Sequence, residues 1–153
     1  MTDTEIELEH IFWEARWQRW ENLPRFLLPY YCFSHGYTTK KNKPDWLQAR
    51  EKGLRSRTAN DINNAVLSAV IPEAVIVGEI KSLEREQNLT RESLTTLLSI
   101  HLEYCAISKQ EQKRLEVLGL SSKMPKEWHQ GNKQNLHIRL QKAEISLQKP
   151  ADK

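Results

Sequence analysis

At 153 residues the chain has the length of a single domain, and a fold of this size buries roughly 70% of the surface its unfolded form exposes. With 39% hydrophobic residues, five tryptophans and near-balanced charge (23 basic against 20 acidic residues, net +3), global disorder is excluded, because enough apolar surface exists to offset chain entropy. No apolar run reaches the 18 residues of a membrane span, and the acidic start from Met1 to Glu9 is the opposite of a signal peptide's basic opening, so a cytoplasmic protein without membrane contact is expected. Cys32 and Cys105 are too few and too far apart for a disulfide framework or a zinc spacing, and read as buried thiols.

Five glycines and an abundance of Leu, Glu, Gln, Lys, Arg and Ala favour helix over sheet. From Asp3 or Thr4, the apolar positions Leu8, Ile11, Phe12, Ala15 and Trp20 recur at helical steps until Asn22 and Pro24. Pro24 suits a first helical position, the aromatic stretch Phe26 to Phe33 should be buried, and Pro29 is expected to kink or end it. After Gly36, the polar run YTTKKNKP (Tyr37 to Pro44) reads as a loop, and Asp45 caps a helix from Trp46 with Gly53 as its weak point.

A further helix is expected through Ile62, Ala65, Val66, Ala69 and Val70, with Pro72 starting another that carries Val75, Ile76, Val77 and Ile80. A strand at Ala74 to Val77 is its competitor. Thr90 opens a helix with Leu94, Leu97, Leu98, His101, Leu102 and Cys105 on one face. Ser108 and Glu111 form a capping box for a short helix ending at Gly119, and a last helix runs from about Lys133 with Leu136, Leu140, Ala143 and Leu147 as its stripe. The expected fold is all-α, an irregular bundle of six to seven helices in one domain over 1–149, with 150–153 a frayed tail.

Charge is sorted along the chain. Residues 1–21 carry six acids and two bases, whereas residues 22–60 carry eight bases and two acids. Lys40, Lys41, Lys43, Arg50, Lys52, Arg55 and Arg57 fall within eighteen residues, a density suited to phosphate binding because each neutralised phosphate releases condensed counterions. The same residues also fit an ordinary solvated face. On an unbroken helix Arg50 and Arg57 would share a face. Lys133, Arg139 and Lys142 form a secondary candidate contact for nucleic acid.

No catalytic signature is present: there is no HExxH, no ligand-spaced His pair beside a carboxylate, and no glycine-rich phosphate loop, so no enzyme activity, metal or cofactor is expected. Trp13, Trp17 and Trp20 lie at steps of four and three on the first helix. Their acidic surroundings would repel a nucleic-acid strand, so core packing or a protein interface is expected of them, and the stripe favours a partner protein. Thr90 to Ile107 and Ser108 to Leu118 have the outline of a helix-turn-helix, the motif of a transcriptional regulator, although the second helix is nearly neutral.

A wholly helical, mildly basic chain of this size, carrying KKNKPDWLQAREKGLRSR from Lys40 to Arg57 and no catalytic motif, resembles the small subunit of a CRISPR Cascade-type (class 1) interference complex, or the C-terminal part of a large subunit. The resemblance implies a non-catalytic subunit of a ribonucleoprotein complex, with other protein subunits and a DNA strand or guide RNA as partners. It implies a basic patch that stabilises target or displaced DNA without reading its sequence. The alternatives are a protein-binding scaffold acting through the Trp-bearing first helix and a helix-turn-helix regulator.

Overall fold

The computed structural model describes residues 1–59 and 64–150. In chain order they form α1 (Asp3–Arg16), a 3-10 turn (Leu23–Phe26), α2 (Leu27–His35), α3 (Trp46–Lys52), β1 (Leu54–Ser56), a second 3-10 turn (Arg57–Ala59), β2 (Ala65–Ala69), α4 (Glu73–Arg85), α5 (Arg91–His101), β3 (Tyr104–Ser108), α6 (Lys109–Val117), α7 (Lys126–His129), α8 (Ile138–Lys142) and β4 (Leu147–Gln148). The expected all-α bundle is therefore corrected to a mixed α/β fold with a four-stranded sheet. The chain divides into two compact units, each built from two separate pieces: 1–45 with 73–102, and 46–72 with 103–153.

The first unit is helical. Thr2 and Glu5 form a reciprocal capping box at the start of α1, which buries Ile11, Phe12 and Ala15. Pro29 does not interrupt α2 as expected. It occupies the third helical position, where its missing amide would have had no partner within the helix, and the helix continues to Gly36 in left-handed conformation. Tyr31 and Cys32 are buried behind it. Ile76 and Ile80 of α4 and Leu94 and Leu98 of α5 complete a core with Ile11, Leu23 and Leu27, all almost fully buried. α4 begins directly after Pro72, so Ala74 to Val77 are helical.

The second unit holds the sheet, in the order β2-β3-β1-β4. β3 pairs antiparallel with β2 and parallel with β1, and β4 closes the far edge antiparallel to β1. All five residues of β3 are buried. Val70, Cys105, Ile107, Leu115, Leu140, Ala143 and Ile145 pack as one cluster against it.

Three expected helices are corrected here. The one through Ala65, Val66 and Ala69 is strand β2, while Ile62 lies outside the described residues. β2 is a partly buried edge strand of five residues without polar alternation, and so short an apolar run is indistinguishable from helix by period alone. The helix carried from Thr90 to Ile107 ends at His101, and Cys105 belongs to β3. That strand separates α5 from α6, so no helix-turn-helix forms. The last helix contracts to α8, because Glu144 turns the chain at φ 59 and Leu147 joins β4. Of the expected tail, residues 151–153 lie outside the described residues.

Both cysteines are free and fully buried, and desolvation pushes the Cys32 thiol up to about 11 and the Cys105 thiol up to about 12.

Candidate nucleic-acid interface

The segment Tyr37 to Asp45 folds back on itself. Thr38 bridges Pro44, the Thr39 amide donates to the Lys43 carbonyl at 2.8 Å, and the Asn42 amide donates to the Thr39 carbonyl at 2.9 Å. Asn42 takes the left-handed conformation (φ 60) that asparagine tolerates better than most residues, and its side-chain amide donates to Asp3 at the start of α1. The turn is thus fixed at its neck and at its tip. Lys40, Lys41 and Lys43 all project from it exposed, and among the described residues none forms an ion pair.

The other four cations of the cluster belong to the second unit and behave differently. Gly53 ends α3 and the chain enters β1, so the shared helical face of Arg50 and Arg57 does not exist. The Arg55 guanidinium turns back to donate to the carbonyls of Arg50 (3.1 Å) and Glu51 (3.3 Å), satisfying the open end of α3 and opposing its dipole. Arg50 donates to the Ala65 carbonyl of β2 at 3.4 Å. Both arginines are half-buried with their Nε atoms out of solvent. Lys52 and Arg57 remain exposed, Lys52 bonding Gln48 at 3.0 Å.

The secondary set divides in the same way. Arg139 is 3% exposed and donates to the carbonyls of Leu120 (2.7 Å), Ala69 (3.1 Å) and Val70 (3.4 Å). Burial lowers its pKa, and its charge serves the end of strand β2 instead of a ligand. Lys142 pairs with Glu127 at 3.1 Å, and the Lys133 ammonium sits 5.2 Å from the centre of the Trp128 ring. Arg139 therefore leaves the candidate contact surface.

The three tryptophans do not form one stripe. α1 stops at Arg16 and Gln18 turns the chain at φ 58, which separates Trp20 from the other two. Trp13 (47% exposed) and Trp17 (71% exposed) share an outward face with Ile6, which sequence reasoning missed although its spacing of seven and eleven residues gives the signal. Glu9 accepts from the Trp13 indole at 3.1 Å and pairs with Arg91, whose guanidinium holds the Glu9 carboxyl below its usual range. Arg91 also lies 4.4 Å from the Phe12 ring centre. No local pattern points to Arg91, because its partners lie more than seventy residues earlier.

One buried polar cluster has the residue types of acid–base chemistry. Glu111 (4% exposed) accepts from the Ser108 amide at 2.8 Å and from the Ser56 hydroxyl, and Thr58 bonds Ser108 at 3.2 Å. Burial opposes ionisation of Glu111, yet these hydrogen bonds outweigh it and hold the carboxyl below its ordinary value. Every one of these groups is engaged in capping α6 and tying it to β1, and no histidine joins them. Among the described residues no group of three or more His, Cys, Asp or Glu could hold a metal ion, and no helix is long and apolar enough to cross a membrane. No family model, curated protein or solved structure matches this chain.

Proposed function

We propose that this is a non-catalytic nucleic-acid-binding protein that holds a strand through its phosphates without reading its sequence. The observation that carries the reading is the Lys40–Lys43 turn, where three exposed ammoniums, none in an ion pair among the described residues, stand on a backbone braced by its own hydrogen bonds. Such cations release condensed counterions on contact with phosphates, and a braced turn loses little freedom on binding. Lys52 and Arg57 offer exposed cations in the second unit. The likeness to Cascade small subunits rests on a wholly helical bundle and on the basic run from Lys40 to Arg57; the sheet removes the first ground, and the proposal stands on the exposed lysines of the second.

The test is to replace Lys40, Lys41 and Lys43 together with Ala and follow binding of a labelled single-stranded DNA across a salt series. The expected result is a loss of affinity of similar size for unrelated sequences, with the salt dependence shallower by about 0.7 per lost contact. Unchanged binding overturns the reading. It would favour a second one, in which α1 docks another protein through Ile6, Trp13 and Trp17, a use supported by the 71% exposure of the Trp17 indole on an acidic helix.

A further inference from the structure

In the helical unit a cleft of about 790 Å³ opens between the C-terminal ends of α1 and α4. Its volume falls within the roughly 300–1,000 Å³ range of small-molecule sites. Arg16, Lys81 and Arg85 line it against one carboxylate, Glu84, which Arg16 already engages at 3.3 Å. Lys81 and Arg85 are left as positive charge facing the cleft. An adjoining lobe adds Arg19, paired with Glu14 at 3.4 Å, and Glu21. The half-buried indole of Trp20 supplies an aromatic wall, with the Lys81 ammonium 5.7 Å from its ring centre.

The helix ends add a second observation. α1 and α4 both finish in the same six-to-one turn, the Arg19 amide donating to the Glu14 carbonyl and the Asn88 amide to the Leu83 carbonyl, each at 2.8 Å. The left-handed position of each turn is a glutamine, Gln18 at φ 58 and Gln87 at φ 60. Glycine takes that conformation without steric cost, and Gly36 and Gly119 do so after α2 and α6, at φ 73 and 72, whereas α8 ends on Glu144 at φ 59. At this cleft the two positions carry amide side chains despite the backbone strain, and both line it.

We infer that the cleft is a nucleotide site: the base takes the Trp20 face over which the Lys81 ammonium lies, Lys81 turns with Arg85 to the phosphate, and the Gln18 and Gln87 amides bond the base edge or ribose. An aromatic wall asks for a flat ring, paired cations ask for a multivalent anion, and amides that both donate and accept ask for a polar edge. A nucleotide unites the three. The same chemistry is offered by a free mononucleotide and by the 5′-phosphorylated end of a strand.

The experiment is calorimetric titration of the full chain with adenosine monophosphate, adenosine, inorganic phosphate, and one deoxyoligonucleotide bearing either a 5′-phosphate or a 5′-hydroxyl. Saturable binding of the monophosphate or the 5′-phosphorylated strand is expected, with adenosine and inorganic phosphate each weaker by about tenfold or more. Lys81→Ala and Arg85→Ala, both exposed and therefore safe for folding, should each weaken it by about tenfold. Tighter binding of the 5′-phosphorylated strand than of both its 5′-hydroxyl twin and the mononucleotide makes the strand end the ligand, whereas equal binding of the two strands beside saturable mononucleotide binding makes it the free nucleotide. Gln18→Gly with Gln87→Gly should raise the melting temperature while weakening binding, a pair of changes that a purely structural role would not produce. The Lys40, Lys41 and Lys43 triple variant should bind the mononucleotide normally, which separates this site from the lysine turn. Absence of saturable mononucleotide binding together with no gain from the 5′-phosphate on the strand, or mononucleotide binding unaltered by Lys81→Ala and Arg85→Ala, overturns the inference.

Discussion

The Lys40–Lys43 turn of the helical unit and three arginines of the sheet unit, Arg50, Arg55 and Arg139, contribute the same sign of charge to the sequence, and the fold puts them to opposite uses. Three lysines stand in solvent, whereas Arg50, Arg55 and Arg139 point their guanidiniums at backbone carbonyls. The geometry of the side chains accounts for the split. A guanidinium forks several donors in one plane and is weakly hydrated, so it can satisfy two or three carbonyls at a helix end or a strand edge; an ammonium is compact, strongly hydrated and better left in water. A count of basic residues is therefore a poor measure of a phosphate-binding surface until each cation has been assigned to solvent or to backbone.

Breaking the inward member of the comparison gives the largest effect. Arg139→Ala leaves three carbonyls, one buried and two part-buried, without this donor and should lower the unfolding free energy by about 3 kcal/mol in urea titration, with nucleic-acid affinity per folded molecule unchanged. A drop in affinity without a drop in stability would return Arg139 to the binding surface.

An intermediate effect is expected at Glu111. Its carboxyl is held below the ordinary glutamate value of 4.5, so the folded state keeps it ionised where the unfolded chain has taken up a proton. This stabilisation is full above that ordinary value and is lost as pH falls through the lower folded value. Glu111→Gln should cost about 1–2 kcal/mol at neutral pH. Below pH 4.5 its urea midpoint should fall less steeply than that of the parent; parallel slopes would place the acid sensitivity elsewhere.

The smallest effect belongs to the outward cations. Replacing Lys40, Lys41 and Lys43 should shift stability by no more than about 0.5 kcal/mol while changing the salt dependence of DNA binding. A large loss of stability would mean that the turn is a structural brace whose lysines are not free for a ligand.

The helical unit was largely legible in the sequence because its signals are local: the cap at Thr90, the stop at Gly36 and the three- and four-residue spacing of Leu94 and Leu98. The box of Ser108 and Glu111 was equally readable. The sheet was hidden for opposite reasons at its two ends. β3 is buried on both faces and shows no alternation, and β4 is a two-residue strand whose Leu147 continues a helical spacing by coincidence. Of the candidate site, the lysine turn could be read from YTTKKNKP, where no apolar period competes. The inward turn of Arg50, Arg55 and Arg139 could not, since it depends on which carbonyls lie open nearby. The cleft was equally invisible, being assembled from residues 16–20 and 81–87.

Each unit is interrupted by the other along the chain, and this has a consequence for synthesis. When the first 45 residues leave the ribosome, Ile11, Leu23 and Leu27 still lack the helices that will cover them, because α4 and α5 follow only after a 27-residue excursion into the other unit. β1 in turn waits for β3, made some fifty residues later, before it has a parallel neighbour. The growing polypeptide thus exposes apolar surface until α4, α5 and β3 have been made, which makes fragments that stop before Leu102 prone to aggregate.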